Sequence, residues 1–157
     1  AGRPHAVTAD GAGSVRVWDL TTGVQTRELI GHKRGVNAVA IIESAVQPQA
    51  VTADNAGSVR VWDLATGMQA GDLPNHESAV NDVVVTTLSG RPHVVTGSSG
   101  SAPSVHLWDV RKRACVSRFH CPVSVTSLAL AGNTTAIVGF GSEVAVLDFS
   151  CVEGKFF

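Results

Sequence analysis

The sequence predicts an all-β fold built from repeated four-stranded antiparallel sheets. A long internal repeat and a two-residue alternation of apolar side chains support this prediction. Residues 6–32 recur as residues 50–76, at an offset of 44, without a gap and with more than two thirds of the positions identical. An internal repeat of this length indicates a chain assembled from copies of one supersecondary unit.

Apolar residues alternate within each repeat in the way that β-strands require. Val15 and Val17 alternate with Arg16 and Trp18, and side chains two positions apart lie on the same face of a strand. Valine also outnumbers leucine, and β-branched side chains favour a pleated sheet over a helix. Each repeat is therefore expected to consist of strands.

Turn signals divide the second repeat into four strands, which we call A to D. Short segments that contain glycine, proline, asparagine or threonine interrupt the apolar runs and indicate turns. The predicted strands are residues 36–42 (A), 50–53 (B), 58–63 (C) and 68–73 (D). Because such a sheet has two apolar faces, it must pack against a neighbouring sheet on each side.

Two further copies of the unit follow. The third contains Trp108-Asp109, whereas the fourth is degenerate because Leu147 stands at the tryptophan position. The predicted units are residues 1–30, 31–73, 74–119 and 120–157. The first begins at strand B and lacks strand A, and residues 151–157 are expected to form the last outer strand.

Length, composition and charge exclude several classes of protein. The 157 residues fit one domain, and 44% hydrophobic with 16% charged residues exclude intrinsic disorder. A formal net charge of -1 predicts binding neither to nucleic acid nor to a membrane surface. The three cysteines, Cys115, Cys121 and Cys151, form no CxxC pair. We therefore expect no disulfide framework, no zinc site and a cytoplasmic location.

A recurring sequence motif closes the third strand of three copies. Its residues are Trp18-Asp19, Trp62-Asp63 and Trp108-Asp109, with Gly31-His32 at the start of the second unit. These motifs and the repeat period of 44 residues resemble the WD-repeat family of β-propellers. The resemblance covers nearly the whole chain. It implies that the four sheets are propeller blades, and that about three and three-quarter blades belong to a larger propeller.

The resemblance also implies a structural hydrogen-bond network in each blade. In the family, a Ser or Thr on strand B, the Trp on strand C, a His before strand A and an Asp in the B–C turn bond to one another. The matching residues are Thr8 and Trp18; Thr52, Trp62 and His32; and Thr96, Trp108 and His76. Asp10 and Asp54 stand two residues before the expected turn position, which leaves open whether either carboxylate joins the network.

The histidines and turn acids do not indicate an active site. His32 and His76 recur once per repeat, as a structural role requires, and the chain has no HxH or CxxC sequence to supply metal ligands. Asp10 and Asp54 could face one another as paired carboxylates, but turn acids are ordinarily solvated or cap the turn. We expect no catalytic residue, no cofactor and no metal.

Antiparallel strand order places the D–A and B–C connections at the same end of every sheet, which we call the top face. Loops held by rigid strands commonly carry binding residues, and the resemblance implies that a peptide or protein binds there. The candidate contact residues are Asp10, Lys33, Arg34, Asp54, Glu77 and Ser78. Together they are expected to form a rim of mixed charge.

The sequence thus predicts a non-catalytic scaffold or sensor module that binds a protein or peptide, as part of a larger multidomain protein. Two alternatives stay open. The chain could supply part of a propeller enzyme, which requires acids and histidines at positions that do not repeat. Alternatively, two copies could associate through open blade edges and close a ring, with Phe156 and Phe157 completing the edge.

Overall fold

The computed structural model describes residues 4–44, 47–74 and 76–153, and these form fourteen strands and one helical turn. The first sheet contains β1 (His5–Ala9), β2 (Val15–Asp19) and β3 (Val24–Glu28). The second contains β4 (Val36–Ile42), β5 (Gln49–Asp54), β6 (Val59–Asp63) and β7 (Gln69–Leu73). The third contains β8 (Val80–Leu88), β9 (Arg91–Ser98), β10 (Ser104–Asp109) and β11 (Ala114–His120). The fourth contains β12 (Val125–Leu130), β13 (Thr135–Phe140) and β14 (Glu143–Asp148), followed by α1 (Ser150–Glu153).

Every sheet is an antiparallel meander in which consecutive strands pair. The second and third sheets have four strands, and the first and fourth have three among the described residues. In the first sheet β1, β2 and β3 correspond to strands B, C and D, so strand A is missing from the part of this sheet that is described. The predicted all-β class with antiparallel sheets is confirmed.

The prediction that residues 151–157 form a last outer strand is wrong where the chain is described. Residues 150–153 form the helical turn α1. The Asp148 carboxylate accepts a hydrogen bond from the backbone N–H of Ser150 at 2.8 Å and thereby caps that turn. Phe156 and Phe157 lie outside the described residues. No helix in the described ranges is long and apolar enough to cross a membrane.

The apolar core lies between successive sheets. Val15 and Val17 of the first sheet pack with Ala50 and Trp62 of the second. Equivalent clusters join the second sheet to the third and the third to the fourth. Each sheet therefore buries one apolar face against the next sheet, as the two-faced meander predicts.

Strand A of the second sheet and strand A of the third are each joined to strand A of the next sheet by an asparagine side chain. Asn37 Nδ2 donates a hydrogen bond to the Val80 carbonyl oxygen at 2.9 Å, and Asn81 Nδ2 donates to the Val125 carbonyl oxygen at 2.7 Å. The two asparagines are 44 residues apart in the sequence. The contact between sheets thus repeats with the period of the sequence.

Candidate functional site

The D–A and B–C connections lie together at one end of the sheets. The backbone N–H of His76 donates to the Gly57 carbonyl oxygen at 3.0 Å, and that of Asn55 donates to the Gly35 carbonyl oxygen at 2.9 Å. Each bond ties a D–A loop to a B–C turn. The loops of the predicted top face are therefore held by hydrogen bonds as well as by strands.

Gly57 permits one of these close approaches. Its φ of +84° lies in the left-handed region, and a Cβ atom at this position would lie 2.5 Å from the His76 carbonyl oxygen. Any other residue would force the two loops apart, because that oxygen belongs to the backbone and cannot rotate away. The turn needs glycine for its conformation and for space.

A chain of four hydrogen-bonded side chains crosses the second sheet. Trp62 Nε1 donates to Thr52 Oγ1 at 2.8 Å, Thr52 Oγ1 lies 2.6 Å from His32 Nε2, and His32 Nδ1 lies 2.7 Å from Asp54 Oδ2. An ionised Asp54 can only accept, so a neutral His32 carries its proton on Nδ1 and donates it to the carboxylate. The unprotonated Nε2 then accepts the hydroxyl proton of Thr52, whose oxygen accepts from the Trp62 indole.

Asp54 completes this network from its displaced position in the sequence. Its Oδ1 atom accepts hydrogen bonds from the backbone N–H groups of Ala56 (2.9 Å) and Ser58 (3.0 Å). Burial by itself would raise the pKa of Asp54, but the bonds from His32, Ser58 and Ala56 outweigh it and the pKa is lowered. Burial lowers the pKa of His32, against the attraction of Asp54. A neutral histidine therefore faces an anionic aspartate.

The first sheet contains part of the same network. Trp18 Nε1 donates to Thr8 Oγ1 at 2.8 Å, but Thr8 is exposed and Trp18 half-buried because no described sheet covers this face. Asp10 does not join the network. Its carboxylate accepts bonds from two backbone N–H groups of the B–C turn and pairs with Arg16 at 3.1 Å.

The third sheet keeps the threonine and histidine but lacks the acid. Trp108 Nε1 donates to Thr96 Oγ1 at 2.8 Å, and Thr96 Oγ1 lies 2.6 Å from His76 Nε2. Ser98 stands at the position of Asp54 and bonds to Ser104 instead. The hydrogen-bond network around Thr96 is therefore assembled from neutral groups.

A second histidine, His106, lies within this third network. By strand register it replaces Arg60 of the second sheet, and its ring stacks on His76 with centroids 3.9 Å apart. Its Nε2 bonds to Ser104 Oγ at 3.0 Å, and its Nδ1 has no hydrogen-bond partner among the described residues. Burial, together with the positive charge of Arg118, lowers the pKa of His76 to about 4. Burial first and then His76 lower the pKa of His106 to about 3.

The sequence analysis missed His106. The signal that could have found it is the departure from the other copies, which carry arginine at the corresponding strand C position, Arg16 and Arg60. Strand alternation places His106 and Trp108 on the same face of β10. The stacking on His76 depends on the D–A loop and could not be read from strand periodicity.

The exposed part of the top face contains charged side chains. Lys33, Arg34 and Glu77 are exposed and Ser78 is half-buried. No salt bridge joins Lys33 or Arg34 to Glu77 within the described parts of the chain. Asp54 does not belong to this rim, contrary to our expectation, because it is 2% exposed and bonded to His32.

Within the described ranges, no three histidine, cysteine, aspartate or glutamate side chains converge as metal ligands would. Cys115, Cys121 and Cys151 are free thiols, and burial raises the pKa of Cys121, which makes the nucleophilic thiolate less accessible at neutral pH. Cys121 packs against the core between the third and fourth sheets.

A family comparison now identifies the repeat. The family model described as WD domain, G-beta repeat matches residues 23–63, from strand β3 to the Trp62-Asp63 pair that ends β6. This stretch of the chain matches a WD repeat. The antiparallel sheets of three or four strands agree with partial blades of this type, and WD-repeat domains act in general as protein-interaction scaffolds. No curated protein was found to match the chain.

Proposed function

We propose that this WD-repeat chain is a non-catalytic module that binds a protein or peptide partner through its top face. One observation carries the proposal: the polar groups with catalytic character are bonded to one another inside the blades, whereas the exposed Lys33, Arg34 and Glu77 form no salt bridge among the described residues. Rigid loops with available charges lose little conformational entropy when a partner binds. The top face is therefore suited to recognition.

The His32–Asp54 pair resembles part of a catalytic dyad but is placed for a structural role. The His32 side chain is 0% exposed, and Thr52 and Asp54 occupy its two ring nitrogens. No substrate atom can reach either nitrogen while these bonds exist. The same Thr–His contact recurs in the third blade without an acid, which supports a role in holding strands together.

The proposal includes further blades that cover the fourth one. Val144 and Val146 are 69% and 65% exposed, whereas their counterparts Val15 and Val17 in the first blade are 0% and 2% exposed. The fourth blade thus presents an apolar face of the kind that the other blades bury. We infer that additional blades of a larger, multidomain protein cover it.

The proposed partner is a protein or peptide in the cytoplasm. Three unpaired thiols suit a reducing compartment. A formal net charge of -1 provides no general attraction to nucleic acid or to an anionic membrane. The exposed Lys33, Arg34 and Glu77 favour a partner surface of mixed charge, because opposite charges on the two surfaces would then face each other.

The test is quantitative capture of cytosolic proteins by the wild-type chain and by two variants with added negative charge. The top variant is Lys33→Glu with Arg34→Glu, and the control is Thr21→Glu with Thr22→Glu, two exposed positions in the C–D hairpin of the first blade at the opposite end. We expect the wild type and the control to capture specific proteins in similar amounts, and the top variant to capture about tenfold less of them or lower still. The same set of proteins retained by the top variant would contradict the proposal.

A further inference from the structure

A cleft of about 750 Å³ opens between the second and third blades at the end opposite the top face. Its floor is apolar and consists of Ile42, Val61, Val85 and Val110. Ile41 lies at its edge with 40% of its surface exposed. We call this feature the bottom cleft. Ile42, Val61 and Val110 are at most 8% exposed, so Ile41 and the half-buried Val85 provide the accessible aliphatic surface.

The rim of the bottom cleft is polar and mainly basic. Arg111 and Arg113 line one side, and Glu43 is the acidic residue among the lining side chains. Gln49 and Thr87 add groups that can bond to a peptide backbone. A concave apolar floor with a few convergent polar groups is the usual composition of a binding site.

The basic side of the cleft is a departure of the third repeat from the other two. The C–D hairpins of the first and second blades read Leu-Thr-Thr-Gly and Leu-Ala-Thr-Gly, whereas that of the third reads Val-Arg-Lys-Arg. Gly23 and Gly67 have φ values of +70° and +77°, and Arg113 at the same position has φ +52°. A left-handed non-glycine residue is disfavoured and is often found where a site requires the side chain.

Arg113 is held in the cleft wall by the neighbouring blade. Its Nη2 donates to the Ala70 carbonyl oxygen, and Gly71 leaves the space that its guanidinium fills, since a Cβ atom there would overlap it. The junction between the first and second blades has the reverse arrangement. There Arg27, at the position of Gly71, packs on Gly67 and donates to the Ala65 carbonyl oxygen at 2.7 Å. At the junction of the second and third blades the arginine lies in a C–D hairpin, and at the first junction it lies on strand D.

Arg111 is the cation that stays available. It is exposed, and no described residue pairs with it through a hydrogen bond or salt bridge. Its neighbour Lys112 lies 3.9 Å from the Asp109 carboxylate within the same hairpin. The cleft therefore combines an aliphatic floor, one fixed guanidinium and one guanidinium with no internal partner.

We propose that the bottom cleft binds an extended acidic segment of a protein partner, with aliphatic side chains on the floor and carboxylates at Arg111 and Arg113. Charge complementarity selects this occupant, because two guanidinium groups face the cleft against one carboxylate. A volume of about 750 Å³ exceeds the size of one side chain and accommodates several residues. The site adds a second binding surface to the one proposed on the top face.

The test uses a labelled seven-residue peptide in which three glutamates alternate with two valines between terminal glycines, with fluorescence anisotropy as the readout. Two counterparts replace the glutamates by lysines or the valines by serines, and a labelled seven-nucleotide oligothymidine represents single-stranded nucleic acid. We expect the glutamate–valine peptide to bind with the smallest Kd of the four probes. We also expect Arg111→Glu to raise that Kd about tenfold or more, and Ile41→Ser to raise it severalfold.

Controls separate this proposal from the top-face proposal. Arg111 and Ile41 are exposed, so both variants should keep the thermal unfolding midpoint of the wild type, and the Lys33→Glu, Arg34→Glu variant should bind the peptide like the wild type. The proposal is overturned by no binding up to about 1 mM peptide, by equal binding to wild type and Arg111→Glu, or by tighter binding of the lysine peptide or the oligonucleotide. Loss of binding in the top variant alone would assign the peptide to the top face and also overturn it.

Discussion

The imidazole rings of His76 and His106 are stacked with centroids 3.9 Å apart and planes inclined by 20°. Both rings lie inside the third blade and are 5% and 2% exposed. His106 also lies near Arg118 and His120, and its pKa of about 3 reflects burial first and then these groups. Ser98 replaces the carboxylate that accompanies the histidine of the second blade. With these lowered pKa values both rings are uncharged at neutral pH.

The histidine pair predicts that acid destabilises the protein. Unfolded histidine titrates near pH 6.5, whereas folded His76 and His106 titrate near 4 and 3. Between these values the unfolded state binds up to two more protons, so stability is complete above pH 6.5 and is lost as the pH falls toward 4. We expect the free energy of unfolding to fall by about 1.4 kcal/mol per pH unit for each histidine. Urea denaturation from pH 7.5 to 5 measures this slope.

A pair of variants attributes that slope to the stacked rings. His106→Gln removes one of the three histidines whose pKa is lowered, the others being His32 and His76, and should reduce the pH dependence between pH 6.5 and 5. His120→Gln, at an exposed position, is the matched control and should leave the dependence as it is. Equal slopes in the wild type and His106→Gln would show that the buried pair does not govern acid stability.

Asp54→Asn should destabilise the second blade. The amide nitrogen would face the Nδ1–H of His32, and the reverse histidine tautomer would leave the Thr52 hydroxyl proton without an acceptor. We expect a loss of about 2 kcal/mol in the free energy of unfolding, the cost of a buried unpaired donor. Asp10→Asn, outside any histidine network, should cost less. Chemical denaturation of both variants provides the comparison, and equal losses would contradict the role assigned to Asp54.

Gly57→Ala and Gly23→Ala separate backbone conformation from loop contact. Both glycines have positive φ, +84° and +70°, but a Cβ atom at Gly57 would meet the His76 carbonyl oxygen at 2.5 Å and one at Gly23 would meet nothing within 4 Å. Gly23→Ala should cost about 1 kcal/mol from conformation alone. Gly57→Ala should cost about 1–3 kcal/mol more because the top loops must shift. Thermal or chemical unfolding measures both, and equal costs would show that the loops do not depend on this contact.

Strand periodicity and turn residues predicted the sheets because these signals are local. The predicted strand A of the second repeat coincides with β4, and strand C differs from β6 by one residue. The sequence did not predict α1, which Asp148 caps at the end of the fourth sheet. An aspartate ends strand C in every blade, so Asp148 gave no separate signal of a helical turn. The roles of Asp54 and His106 depend on how a turn brings distant segments together, and spacing alone does not specify this.

Val144 and Val146 of the fourth blade are exposed, so we expect them to contribute to stability only when another blade or a second copy covers their face. Val144→Ser with Val146→Ser should leave the unfolding free energy nearly unchanged, because neither side chain is buried. The matched pair Val15→Ser with Val17→Ser should reduce it by several kcal/mol, about 2 or more for each side chain. Light scattering on the wild type and the first variant then separates further blades from self-association. A dimer that Val144→Ser and Val146→Ser dissociate would favour the second copy.

Site-specific photocrosslinking in cells tests the top-face assignment most directly. A photoreactive amino acid is placed at Lys33, in a D–A loop, and as a control at Thr22, in a C–D hairpin of the first blade; both positions are exposed. If a partner binds the top face, we expect a discrete adduct with another protein from position 33 and none from position 22. Adducts of equal yield from both positions, or from position 22 alone, would contradict it.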